Sequence, residues 1–265
     1  MKTTYINLLN RLLVRILLIP YRLFSFLFLR TRMITIVTGA DSTHFRSLLQ
    51  LINSLQVIEK GNFRITVYDL GCTDSEINIF KSLHPDIILK KFDYDQYPPH
   101  FNIKIDCGNY AWKPAIIHHE YNLLPAGAFF LWLDAGCFIR KPLYLIRSAI
   151  YLYGLYCPDS GTKIKDLTHR FTIEEMNLDN RGQLKMLAAT IIGLRSGKNK
   201  NDVLIDSWFK AAKDKDIIAP LGSSKANHRY DQSLLSLLYY EIYNVTKGPL
   251  ASHKWLEVVP HRDIG

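Results

Sequence analysis

The chain has 265 residues, 48% of them apolar and 22% charged, enough to bury one large core or two small ones. Its net charge of +9 suggests a nucleic-acid partner, but the location of the charge argues against one. Lys2, Arg11, Arg15, Arg22, Arg30 and Arg32 stand among residues 1–33 without an acid, and the remaining residues hold 27 basic against 24 acidic side chains.

Residues 1–33 form the first unit in chain order. Arg15 and Arg22 interrupt any clean apolar span of roughly 18 residues. On a helical wheel Asn7, Arg11, Arg15, Arg22 and Ser25 share one sector of roughly 80°, and the rest is mostly Leu, Ile and Phe. The pattern predicts a helix lying in a membrane interface, arginines toward lipid phosphates and a break at Pro20. Peripheral attachment to the cytoplasmic face follows. A type II membrane anchor and a helix packed on the protein itself are the alternatives. A signal peptide fits poorly because no small-residue cleavage site follows.

Residues 34–265 then read as one unit without an internal linker. MITIVTGAD (33–41) is a buried strand entering a loop, HFRSLLQLINSLQVI (44–58) has helical spacing, and RITVYDLG (64–71) is a second strand. A helix starting at Thr73-Asp74 and a strand over 86–94 follow. Next come a helix over 110–123, a strand over 128–136 that is apolar on both faces and hence central, and a helix over 142–153. Residues 154–183 are polar and irregular; 185–197 reads as a strand pair or a strand and turn. Helices over 202–213 and 230–242 and a short strand over 257–262 complete the chain. The alternation predicts an α/β fold, a mostly parallel central sheet with helices on both faces. Cys72, Cys107, Cys137 and Cys157 form no CxxC pair and no metal-like spacing, which predicts reduced, mostly buried thiols.

In open parallel sheets ligands bind at the carboxyl ends of the strands. Asp41, Asp69, Asp93 or Asp95, and Asp134 fall at or just past such ends and would converge on one polar crevice. Taken singly, each is more often a turn or cap residue. Neither GxGxxG nor GxxxxGK[ST] is present, so the usual dinucleotide and P-loop readings lose support.

VTGADSTHF, YAWKPAIIHH, LWLDAGCFI and HRYDQSLLSLL, in this order, resemble nucleotide-sugar-dependent glycosyltransferases of the type-A fold, relatives of the family-eight retaining enzymes. The likeness covers roughly residues 34–262. It implies a nucleotide-diphospho-sugar transferase-like catalytic domain taking a nucleotide-sugar donor, a UDP-sugar favoured, with Mn²⁺ or Mg²⁺. The implied acceptor is a glycan or a lipid-linked sugar. Asp134 matches the first acid of the family's Asp-x-Asp, which holds the cation on the donor diphosphate, while Gly136 stands in place of the second. A histidine near the C-terminus completes the metal site in those enzymes, a role that would fall to His261. Lys113 lies where a basic side chain reaches the donor phosphates. Asp231 and Gln232 match an Asp-Gln pair facing the reacting sugar, with His228 just before them. Thr38, Gly39, Ala40 and Asp41 would hold base and ribose. Ala188-Ala189-Thr190 replaces an Asn-Ala-Gly that contacts the donor sugar. The aromatic-rich 92–112 segment suits either sugar stacking or the core.

The leading expectation is therefore a membrane-associated glycosyltransferase. The competing one is a non-catalytic relative that binds a nucleotide sugar or glycan, given the missing second acid. A metal-dependent hydrolase lacks a positioned nucleophile. Deleting residues 1–32 is expected to solubilise the protein and leave donor chemistry intact.

Overall fold

The structure, a computed structural model, describes residues 17–246 and 257–264. Six strands build the main sheet: β1 (Ile34–Asp41), β2 (Phe63–Gly71), β3 (Ile88–Lys91), β4 (Phe129–Leu133), β6 (Leu155–Tyr156) and β9 (Ile191–Arg195), in the order β3-β2-β1-β4-β9-β6. β1, β2, β3 and β4 run parallel and β9 antiparallel to β4, so the sheet is mostly parallel, as its apolar β-branched runs predict. Two small ribbons flank it. β5 (Phe138–Ile139) pairs with β10 (Val258–Val259), and β7 (Asp159–Lys163) with β8 (Lys185–Leu187). The irregular region over 154–183 thus contains strand as well as loop, which its polar DSGTK run does not signal.

β4 shows why the sheet is two-sided. All five of its residues are buried. Phe129, Leu131 and Leu133 join one core with Ile34, Ile36, Leu51 and Ile146, while Phe130 and Trp132 join the other with Ile117, Ile192, Trp208 and Leu235. Period-two alternation therefore serves two apolar layers rather than one wet and one dry face. Helices α2 (Phe45–Ile58), α5 (Tyr144–Tyr153), α4 (Trp112–Asn122), α7 (Asn199–Ala212) and α9 (Asp231–Tyr243) supply those layers. The amphipathic α3 (Asp74–Leu83) opens with a capping box, Thr73 with Glu76.

The N-terminal arm differs from expectation in orientation. It is helical over α1 (Ile19–Phe24), with Pro20 in the first turn, and continues as a π-helical turn over Ser25–Leu29. Phe24 packs on Tyr151 and Phe26 on Tyr144 of α5, and Ser148 Oγ donates to Tyr21 O at 2.7 Å. Arg22 points to the buried carboxylate of Glu257, 3.9 Å away, and Ser25 is fully buried. The polar stripe here faces the protein, where Arg22 meets Glu257 and Tyr21 O accepts from Ser148, and not outward; Asn7, Arg11 and Arg15 lie outside the described residues. The apolar stripe is left outward: Leu17, Ile19, Leu23, Leu27 and Phe28 are all more than half exposed. Among the described residues no helix is long and apolar enough to cross a membrane.

The arm is tied in by a buried charge. Arg147 of α5 is fully buried and pairs with Glu59 at 3.2 Å. Its guanidinium also donates to Arg32 O at 2.6 Å, Asn62 O at 2.8 Å and Leu29 O at 3.4 Å. A Cβ at Gly61 would stand 2.7 Å from Arg147 Nη2, so the close approach requires glycine there. The arm end and residues 59–62 thus share one guanidinium.

Candidate active site

A cavity of about 550 Å³ opens at the carboxyl ends of β1 and β4. Asp134 enters it because β4 stops there. Its N–H still bonds to Thr190 O at 3.0 Å, extending the ladder with β9, while Cys137 N closes a turn onto Asp134 O at 2.9 Å. The carboxylate is held from behind. Trp132 Nε1 donates to Oδ1 at 2.7 Å and Lys113 Nζ lies 2.9 Å from the same oxygen. It remains 30% exposed on the cavity wall.

Lys113 comes from the first turn of α4 and is buried together with its charge. The turn that delivers it is unusual: Asp106, Cys107, Gly108, Asn109 and Tyr110 all have positive φ. On its other side Nζ lies 3.3 Å from Asp231 Oδ2, so one ammonium joins two carboxylates from distant parts of the chain. Burial alone would depress this lysine, but Asp134 and then Asp231 raise it above the usual range. For Asp231 the balance goes the other way. Burial lifts its carboxyl to about 6 even though Lys113 opposes the rise, so full burial outweighs a partner that Asp134 shares. The backbone aims Asp231 inward: Tyr230, just before α9, adopts φ 46 and ψ −117, and Asp231 O accepts from Trp208 Nε1 at 2.8 Å.

The remaining predicted residues divide. Gly39, Ala40, Asp41, Gln232 and His261 line the cavity with Lys113, Asp134 and Asp231. Asp41 also caps the turn after β1, accepting from Thr43 Oγ1 at 2.7 Å and His44 Nδ1 at 2.9 Å. That contact lowers Asp41, against its burial, and raises His44. Thr38 is fully buried inside β1 and does not reach the cavity. His228 is buried as well: its Nε2 donates to Ile218 O at 2.8 Å and its Nδ1 accepts from His169 N at 3.1 Å. Burial pushes it down to about 4, a neutral histidine holding two loops together. The expected convergence of strand-end acids is only partial. Asp69 accepts from Gly71 N and Cys72 N, and Asp93 from Asp95 N and Gln96 Nε2, so both act as turn caps. Of the aromatic segment, Tyr110 and Trp112 line the cavity, whereas Phe92, Tyr97 and Phe101 stack among themselves in the core.

Sequence reasoning missed Lys225 and Asp263 on the cavity wall. Lys225 Nζ sits 5.3 Å from the centre of the Tyr110 ring, and Tyr110 lies 5.9 Å from Tyr230, forming an aromatic margin. Asp263 comes from the segment after β10, fixed by Arg262 N donating to Gly136 O at 2.8 Å and Ile264 N to Ser47 Oγ at 2.9 Å. Its carboxylate fills the space a side chain at 136 would use: a Cβ on Gly136 would stand 2.8 Å from Asp263 Cγ and 2.9 Å from Oδ2.

Among the described residues no group of three or more His, Cys, Asp or Glu is arranged to hold a metal ion. The cradle at Gly136 does suit an open site. It brings a second hard oxygen donor beside the turn that carries Asp134, and a cation's remaining ligands would come from substrate and water.

No family model matches the chain, and no curated protein sequence does. Among solved structures, the WbbM bifunctional glycosyltransferase superposes with a TM-score of 0.53 at 13% identity, over 83% of this chain and 39% of that one. The galactosyltransferase LgtC, in complex with donor and acceptor sugar analogs, gives 0.45 at 16% identity, over 77% and 70%. The glycosyltransferase GlyE of Streptococcus pneumoniae TIGR4 gives 0.45 at 12% identity, over 79% and 43%. The chain spans well under half of the WbbM chain, and likeness at such identity is likeness of fold. With its mostly parallel sheet and strand-end cavity, the chain has the type-A glycosyltransferase fold.

Proposed function

We propose that this protein is a glycosyltransferase that moves a sugar from a nucleotide-diphosphate donor, a UDP-sugar by preference, to a glycan or lipid-linked acceptor. The observation that carries the reading is the Asp134–Lys113–Asp231 bridge on the wall of a strand-end cavity large enough for a nucleotide sugar. Gly39 and Ala40 at the end of β1 permit close approach of a base and ribose, and Asp41 supplies a carboxylate for ribose hydroxyls. Lys113 holds the Asp134 carboxylate in place from behind. Asp231, with a carboxyl lifted to about 6, exchanges a proton near neutral pH and suits a sugar hydroxyl or the acceptor's proton. Gln232 adds an amide beside it.

Asp134 and Asp263 are the residues that would hold a divalent cation. Mn²⁺ or Mg²⁺ bound there would neutralise the charge that grows on a departing nucleoside diphosphate. The charge count favours such a partner. Asp41, Asp134, Asp231 and Asp263 face Lys113, Lys225 and Arg229 across the cavity, and Lys113 is already committed to two of the acids.

The deciding experiment is titration of UDP-sugars with and without Mn²⁺, followed by a turnover assay. Metal-dependent binding with hydrolysis or transfer supports the reading; binding without either supports a non-catalytic sugar-nucleotide binder. The outward apolar face of the arm supports peripheral attachment to a membrane surface. Flotation with anionic liposomes tests it, and failure of the full chain to float counts against it.

A further inference from the structure

The family pattern places two acids on one turn after the central strand, and this chain has one acid and a glycine there. The glycine is not an empty position. Its Cα faces the Asp263 carboxylate so closely that any side chain at 136 would displace it, since a Cβ would come within 2.8 Å of Asp263 Cγ. Three contacts hold the delivering segment. β10 pairs with β5 directly after the turn, Arg262 N bonds to Gly136 O at 2.8 Å, and Gln50 Nε2 donates to Arg262 O at 2.7 Å. Two further observations bring Asp263 into the site's electrostatics. It lines the same cavity as Asp134, and both carboxylates help raise His44.

We propose, resting on the donor reading above, that Asp263 is the second acid of the site. Supplied from the C-terminal segment in place of residue 136, it forms with Asp134 an open two-carboxylate seat for a divalent cation that fills together with a nucleoside diphosphate. Two carboxylates from the protein are too few for a hard cation that takes six or more oxygens, so the diphosphate completes the shell. A diphosphate without the cation would meet four carboxylates against Lys225, Arg229 and a lysine already paired twice. Cation and nucleotide should therefore bind with strong positive linkage, each raising the other's affinity by the same factor.

The test is calorimetric titration of UDP into wild type, D263N and the double variant G136D/D263A, each in Mn²⁺ and in EDTA. Thermal melts check that each variant folds. Wild type is expected to bind UDP about tenfold or more tightly in Mn²⁺ than in EDTA. D263N should lose that increment, while its affinity in EDTA should not fall and should rise if anything, because one of the four carboxylates facing the metal-free diphosphate is gone. G136D/D263A, which returns the acid to the turn after emptying the cradle, should recover much of the increment, a result a merely structural Asp263 would not give. A full Mn²⁺ increment in D263N overturns the assignment while leaving the donor reading standing. Failure of wild type to bind UDP in either condition overturns the donor reading, and the assignment falls with it.

Discussion

Replacing Lys113 by Met removes the one ammonium that joins Asp134 to Asp231 while keeping most of the buried stem volume. The consequence for Asp231 has a definite sign. Its folded carboxyl, about 6 against an ordinary value of 3.8, is raised. Its favourable contribution is therefore complete below about pH 4 and is lost as pH rises through about 6. In K113M the opposing charge is gone, the folded carboxyl moves higher still, and the loss continues to higher pH. At pH 5 the carboxyl is mostly protonated in both folded proteins, so this contribution cancels. At pH 7.5 the wild-type loss has levelled off and the variant's has not. The gap is at most the interval from about 6 to pH 7.5, which at about 1.36 kcal/mol per unit amounts to about 2 kcal/mol. Lost packing and the charge of Lys113 itself do not depend on pH in this range. Urea unfolding followed by tryptophan fluorescence, on both proteins at both pH values, should show K113M destabilised by up to about 2 kcal/mol more at pH 7.5 than at pH 5. A difference under about 0.5 kcal/mol between the two pH values would refute the coupling of Lys113 to Asp231.

Asp134→Ala should lower donor turnover about 100-fold or more with the fold retained, read by a sugar-nucleotide assay and a melt; near-normal turnover sinks the proposed site. Gly108→Ala should cost about 2–3 kcal/mol, because φ is +63 and the new Cβ would press on Phe101 O and on Trp112 Cδ1, 2.9 Å away. An unchanged urea midpoint would contradict that geometry. A cut that removes the arm up to residue 32 should carry a stability cost. That cut takes two carbonyl acceptors, Leu29 O and Arg32 O, from the buried Arg147, so it should destabilise by about 2 kcal/mol or more relative to a cut after residue 16. Equal stability of the two truncations would show that Glu59 and Asn62 suffice for Arg147.

The main sheet was legible because β1 is a β-branched run and β4 a wholly apolar one, each buried on both faces and leading into Asp, while β2 keeps a buried Ile-Thr-Val-Tyr centre between its more exposed ends, patterns independent of distant residues. Lys113, Asp134 and Asp231 were legible as single motif positions, but not as one charge bridge, since spacing along a chain says nothing about which ammonium meets which carboxylate. The same blindness hid Asp263. Its only trace was the departure at Gly136, which reads as a deletion until the backbone brings the C-terminal segment against it. The arm makes the physical reason plain. A helical wheel correctly divides residues 17–29 into a polar and an apolar stripe, but it gives no information on which stripe meets protein. That choice depends on whether the fold offers buried polar partners. Glu257, pushed up to about 8 by burial and so largely uncharged at neutral pH, presents a polar oxygen 3.9 Å from Arg22, and Ser148 Oγ donates to Tyr21 O, so the polar stripe can turn inward. Turning it inward leaves Leu23, Leu27 and Phe28 for solvent or lipid. A buried acid near the C-terminus therefore sets the face by which the N-terminus can meet a membrane. Patterns confined to one helix cannot carry that information, because the deciding contact joins Arg22 to Glu257, residues far apart in the sequence.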